Sequence, residues 1–324
     1  MSIDNDDHSL AHLPVSLFSS VMGLGGLSLA WRRASHVWAS VPTWPATTFL
    51  VLAIIVFVVI GIAYLIKVVR YPTAVLAELR HPIRMAFVPT ITIGLLVIAT
   101  GLSPLAVGPA NVLWWIGALA HLTLTVVILT AWSSRPDIVA THVTPAWLIP
   151  VVGNVITPLA VPTLGSVDVA WFSFGVGFVF WIGLLPLLLQ RVLTHDIPLP
   201  GRLMPTLAIF TAPPAVSLIA WQTLVRGGAD PMSRILYAAT LAFVILLLAQ
   251  GLRLRKIPFA VPYWAYTFPL AAAAAAAVVM AGELPGTGYQ VIAAALVVAA
   301  TSVGLVVSVL TLRAVARKEI CRPE

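Results

Sequence analysis

Residues 262–280 read PYWAYTFPLAAAAAAAVVM. The run is uncharged and close to the roughly 20 apolar residues that carry a helix across a ~30 Å hydrocarbon layer. Two features do not suit a plain membrane helix. Phe268 places a bulky ring near its middle and Pro269 follows at once. A proline inside a helix removes a hydrogen bond and crowds the preceding turn. Ala271 to Ala277 then add almost no side-chain bulk. This stretch decides the fold, because a broken helix is tolerated in a membrane only where it faces protein or a water-filled cavity.

The rest of the chain supplies that setting. Of 324 residues, 60% are hydrophobic and 9% charged, and the mean hydropathy is +1.03. Soluble domains carry about 25% charged residues, so the composition is that of a polytopic membrane protein. The acidic start, MSIDNDDHSL, lacks the basic region of a cleaved signal, and the first apolar segment is expected to stay. A single cysteine, Cys321, excludes an intrachain disulfide. The net charge of +7 does not point to nucleic acid, because the basic residues lie between apolar runs, as topology signals do.

Ten spans can be read, at 14–31, 46–69, 84–103, 109–132, 143–163, 167–190, 203–224, 233–252, 260–281 and 286–313. The expected fold is an all-α integral membrane protein, one transmembrane domain over 1–324, with short tails at 1–13 and 314–324. Ten spans put both termini on one side, together with the even-to-odd loops. That side collects fourteen of the eighteen Lys and Arg residues, including Arg84, Arg135, Arg253, Arg255, Lys256 and Arg322. The other side holds Arg32, Arg33, Arg226 and Arg234. The bias predicts cytoplasmic termini.

Helix breakers sort by parity. Odd spans hold Pro14, Pro89, Pro145, Pro150, Pro158, Pro162, Pro205, Pro213, Pro214, Pro262 and Pro269, and the first adds GLGG at Gly23–Gly26. Even spans hold only Pro109, at the start of one, and Pro186. Freed backbone groups are costly against lipid. The odd helices are therefore predicted to form a kinked inner ring around a central path, with the even helices outside, in five hairpins. No Asp, Glu or Lys lies at depth in an odd span, whereas proton relays and cation sites place ionisable groups there. Broken-helix amide ends and basic mouths suit anions instead.

Five stretches resemble the tellurite-resistance/dicarboxylate transporter family, which includes TehA-like proteins and the slow-type anion channels of plant guard cells. They are FSSVMGLGGLSLAW (18–31), HPIRMAFVPTITIG (81–94), TPAWLIPVVGNVITPLA (144–160), RLMPTLAIFTAPPAV (202–216) and PFAVPYWAYTFPLA (258–271), one in each odd span. The resemblance implies ten helices in five hairpins, a homotrimer with one pore per subunit, and anion permeation. It also implies a plug from the ninth helix, which maps onto Phe268. The TehA-like pattern has glycine after this ring, whereas Pro269 here is closer to the plant pattern TFP.

Phe18, Phe87 and Phe210 are further odd-span aromatics, each a candidate for the path or for the core. Gly26 and Thr267 are candidates for its lining. Pro89, Pro150, Pro158, Pro213 and Pro269 are the candidate kinks. Asn154, between two prolines, would bond the broken backbone or touch an ion. Arg84 stands at the expected cytoplasmic entrance, to attract anions or to anchor the helix. His81, His121, His142 and His195 are scattered without metal-site spacing, and no catalytic or nucleotide-binding motif is present. Neither cofactor nor enzymatic activity is expected. The leading function is a passive channel for small anions such as chloride, in a bacterial inner membrane. The alternative is a carrier, proton-coupled or facilitative, for C4-dicarboxylates such as malate, or for tellurite or sulfite.

Overall fold

A computed structural model describes residues 10–161, 163–194, 199–251 and 259–321. Pro162, His195, Arg253, Arg255, Lys256, Pro258, Arg322 and the tail residues 1–9 and 323–324 lie outside the described residues. Among the described residues every regular element is helical. In chain order the α-helices are α1 (Ser19–Val37), α2 (Trp44–Arg70), α3 (Pro72–Arg80), α4 (Thr90–Leu102), α5 (Val107–Ser134), α6 (Leu148–Val152), α7 (Val167–Leu193), α8 (Ala212–Val225), α9 (Pro231–Ala249), α10 (Thr267–Glu283) and α11 (Thr287–Ala316).

Helical structure overlaps each of the ten predicted spans. Eight described segments are long and apolar enough to cross a membrane, and Pro145–Ala160 is a shorter apolar one. The protein is an integral membrane protein. The even segments α2, α5, α7, α9 and α11 are continuous helices of 19 to 30 residues. Each odd segment opens in a tighter 3-10 stretch and becomes α-helical later. These stretches are Val15–Phe18, Arg84–Phe87, Pro145–Trp147, Gly201–Thr211 and Val261–Tyr266. The fifth segment returns to 3-10 form at Gly153–Ala160. Runs of 3-10 helix beyond three or four residues are uncommon, so the eleven residues of Gly201–Thr211 mark a sequence held off its preferred geometry.

The layers follow the same parity. In the most apolar window of each even segment 28–33% of residues are buried, against 67–89% in the third, seventh and ninth segments. α1 packs on α10, and α8 on α10 and on the fifth segment. Tryptophans fasten α11 to this inner layer. The indole of Trp264 donates to Thr311 Oγ1 at 2.9 Å and that of Trp31 to Thr301 Oγ1 at 3.0 Å, while Trp38 donates to Gln290.

The structure differs from the sequence reading in several places. α1 runs six residues past the expected end at 31, and α11 reaches Ala316, inside the expected tail. Leu10–His12, assigned to the other tail, forms a 3-10 turn. The link after the second span contains α3, only nine residues long and thus too short to register as a span. Proline placement also differs from a mid-helix kink. Pro269 is the third residue of α10 and Pro213 the second of α8, while Pro89 directly precedes α4. The first four N–H groups of a helix have no intrahelical acceptor, so proline costs no hydrogen bond there. Pro89, Pro213 and Pro269 thus start α portions at 3-10 to α junctions, while Pro158 and Pro205 lie inside 3-10 stretches.

Candidate functional site

A space of about 50 Å³ lies among the inner segments, room for a few water molecules. All of its lining residues come from the five odd segments. α1 contributes Ser19 and Met22, and the third segment Phe87 and Ile93. The fifth segment contributes Ile149, Val152 and Gly153, the seventh Ile209 and Pro213, and the ninth Trp264, Phe268 and Pro269. No lining residue carries a charge. The wall is therefore apolar and built where the inner helices change form.

Phe268 is half-buried, and its ring rests on α1. A methyl added at Gly26 would stand 3.1 Å from Cδ2 of Phe268 and 3.2 Å from Cβ of Ala271. One turn earlier, a methyl at Gly23 would stand 2.0 Å from Thr267 Oγ1. The glycines thus let α1 approach α10 at the level of the ring. Thr267 is buried, and its hydroxyl donates to the Trp264 carbonyl at 2.8 Å, satisfying an acceptor at the junction. Beyond the ring, Ala271 to Ala277 are all buried, so the alanine run is a packing surface.

The broken fifth segment needs outside partners for its freed carbonyls, and α5 supplies them. Thr125 donates its hydroxyl to the Pro150 carbonyl at 2.6 Å, and the Trp114 indole donates to the Thr157 carbonyl at 2.9 Å. The amide of Asn154 donates to Thr125 Oγ1 at 2.8 Å and to the Val151 carbonyl at 3.0 Å. Asn154 thus bonds the broken backbone and is not a lining residue. His121 sits behind Gly153, its Nδ1 2.8 Å from Thr92 Oγ1.

The other sequence candidates divide. Phe87, Pro213, Pro269 and Phe268 share the cavity wall. Phe18 packs edge-on against Phe57 and Tyr64 of α2, at 5.7 and 6.0 Å between centroids. Phe210 stacks on Phe243 of α9 at 5.7 Å. Both rings tie an inner segment to an outer helix and neither lines the cavity. Pro89 accepts at its carbonyl from the Thr92 hydroxyl at 2.9 Å, and Pro158 lies within a 3-10 stretch, both away from the wall. Arg84 is exposed, at the first residue of its 3-10 stretch. Among the described residues no three His, Cys, Asp or Glu side chains are grouped as a metal site would need.

Sequence reasoning missed two features. Met22, Val152 and Ile209 line the wall, but apolar residues on an inner helix look the same whether they face a cavity or a neighbour. Lys67 and Glu78 form a buried ion pair at 2.8 Å. Glu78 also accepts from the Val15 amide and the Tyr64 hydroxyl, and Lys67 donates to the Leu13 carbonyl, each at 2.8 Å. Three further partners compensate the two charges, which fasten α2 and α3 to the start of the first inner segment.

A family model described as voltage-dependent anion channel (SLAC1) matches residues 12–312. The chain belongs to this family. Relatives include the S-type anion channel SLAH3 of Arabidopsis thaliana, 28% identical over 94% of this chain and 48% of its own length. The guard cell S-type anion channel SLAC1 of the same plant is 27% identical over 94% of this chain and 56% of its own. The tellurite resistance protein TehA homolog of Haemophilus influenzae is 27% identical over 81% of this chain and 79% of its own. The chain thus spans about half the length of the plant relatives. These SLAC1-family relatives are named as anion channels or as a tellurite resistance protein, none as an enzyme.

Proposed function

We propose that this SLAC1-family protein is a passive channel for small anions, chloride among them, and that the ring of Phe268 gates it. The observation that carries this reading is the cavity built only from the five broken segments, uncharged, with Phe268 seated on Gly26. An aromatic ring across a narrow apolar passage excludes water, and a dewetted passage stops ions. Swinging the ring off Gly26 opens it.

The same reading takes the chain as one channel domain of ten crossings in five hairpins, assembled as a homotrimer with a separate pore in each subunit. It places the protein in a bacterial inner membrane with both termini cytoplasmic. A C4-dicarboxylate carrier needs a cation against its substrate, and the wall offers none. Purified protein in liposomes tests the channel directly. Chloride flux should follow an imposed voltage and ignore a pH gradient. Proton movement locked to movement of malate, tellurite or sulfite would replace the channel by a carrier.

A further inference from the structure

On α1, Ser20 to Ser28 are all buried, and Leu29 is the first residue to regain exposure. On α10, Ala271 to Val278 are buried and Val279 regains it. At 100° per residue, Val279 lies within about 20° of Phe268 around α10. By the same spacing Arg33 lies within about 20° of Met22 and of Gly26 around α1. Met22 lines the cavity and Gly26 carries the Phe268 ring. Seven residues separate Gly26 from Arg33, about 10 Å along the helix. The face that lines the cavity and seats the ring therefore reopens beyond it, at Leu29 and then at the level of Arg33 and Val279. Arg33 is half-buried and, among the described residues, forms neither an ion pair nor a side-chain hydrogen bond.

We infer that Arg33 is an anion-capture site, on the opposite side of the Phe268 ring from the cavity, for a small monovalent anion. A partly desolvated guanidinium without a carboxylate holds an uncompensated charge that an anion neutralises, and a basic mouth on an ion path raises local anion concentration. The inference rests on the channel reading. Arg32 supplies the internal control, being likewise half-buried and without an ion pair among the described residues but on another face. It lies about 100° further round α1 and aligns with Gly25, whose neighbours are Val97 and Ala53.

Two measurements on the full-length protein test it. The first is thermal melting in detergent, with chloride replaced by gluconate at constant ionic strength. Chloride should raise the melting temperature of the wild type and of Arg32→Gln, and the rise should vanish in Arg33→Gln. The second is chloride flux into liposomes, which Arg33→Gln should lower by about tenfold at low ionic strength, with little loss at saturating chloride. An Arg33→Gln protein that keeps both the melting shift and the low-chloride flux overturns the inference, as does an equal loss in Arg32→Gln. Should Arg33→Gln not fold, Arg33→Lys decides, since it keeps the charge and should keep the shift; a folded Arg33→Lys without it is equally fatal. A wild type whose melting responds to chloride through Arg33 but which passes no chloride removes the channel and leaves the site.

Discussion

The fifth segment and α7 are neighbours in sequence and in space, yet they solve the membrane problem in opposite ways. α7 stays α-helical for 27 residues despite Pro186 and satisfies nearly all of its own backbone, so it can face lipid. The fifth segment changes helical form twice within Pro145–Ala160. It borrows Thr125 and Trp114 of α5 to cover its carbonyls and adds its own Asn154. The difference teaches that irregular backbone here is a product of position. In the fifth segment the chain leaves the α-helix where an outer helix can donate, and there it lines a cavity.

Glycine substitutions break this contrast most sharply. Gly153→Ala in the fifth segment puts a methyl 2.2 Å from His121 Cε1 and 2.7 Å from Ile93 Cδ1. Overpacking of this kind costs about 1–3 kcal/mol and at times more, so thermal melting should show a clear loss or no folded protein. Gly183→Ala on α7 meets nothing within 4 Å. It should instead raise stability by roughly 0.5–1 kcal/mol, the gain of alanine over glycine within a helix. Equal effects at the two sites would erase the distinction between the layers.

Thr125→Val probes the borrowed hydrogen bonds. It leaves the Pro150 carbonyl with only the long 3.5 Å contact from the Asn154 amide and takes the Thr125 acceptor from Asn154, without changing volume, at a cost of about 1–3 kcal/mol. Thr123→Val on the same helix should be near neutral in the same melting assay, because the exposed Thr123 hydroxyl only returns to the Leu119 carbonyl.

Much of this architecture was legible in the chain. Prolines at 89, 150, 158, 213 and 269, all in odd segments, separate inner from outer helices in the sequence itself. Their local role was not legible, since a proline that kinks a helix and one that starts it leave the same letter in the sequence. Phe18 and Phe210 were equally ambiguous. An aromatic on an inner helix can face inward, or outward onto Phe57 or Phe243, and only the rotation of the helix decides. Lys67 is one of the fourteen basic residues on the side of the termini, and its pairing was not legible because Glu78 lies on a helix too short to register as a span. Of the candidate site, Phe268 and Phe87 were named in advance, while the aliphatic wall and the Gly26 seat needed the packing.

The smallest expected effect is at the loop before α9. Asp230 caps that helix, accepting from the Ser233 amide at 2.8 Å and from the Trp221 indole at 2.7 Å. Burial raises its carboxyl pKa, but these hydrogen bonds outweigh burial and hold it below the ordinary value. Its stabilisation is therefore complete above the unfolded pKa of about 4 and is lost as pH falls through the lower folded value. Asp230→Ala should cost about 1 kcal/mol near neutral pH, with the gap to wild type closing in acid melts below about pH 4. An outer helix should lose this cap without any change in anion flux.

The central claim is that the broken layer carries the path and that Phe268 closes it. Planar-bilayer recording of Phe268→Ala beside Phe180→Ala tests it most directly, since Phe180 is an exposed ring on α7. The account predicts a larger anion conductance for Phe268→Ala, open without stimulus, and wild-type currents for Phe180→Ala. Unchanged currents in folded Phe268→Ala would contradict it.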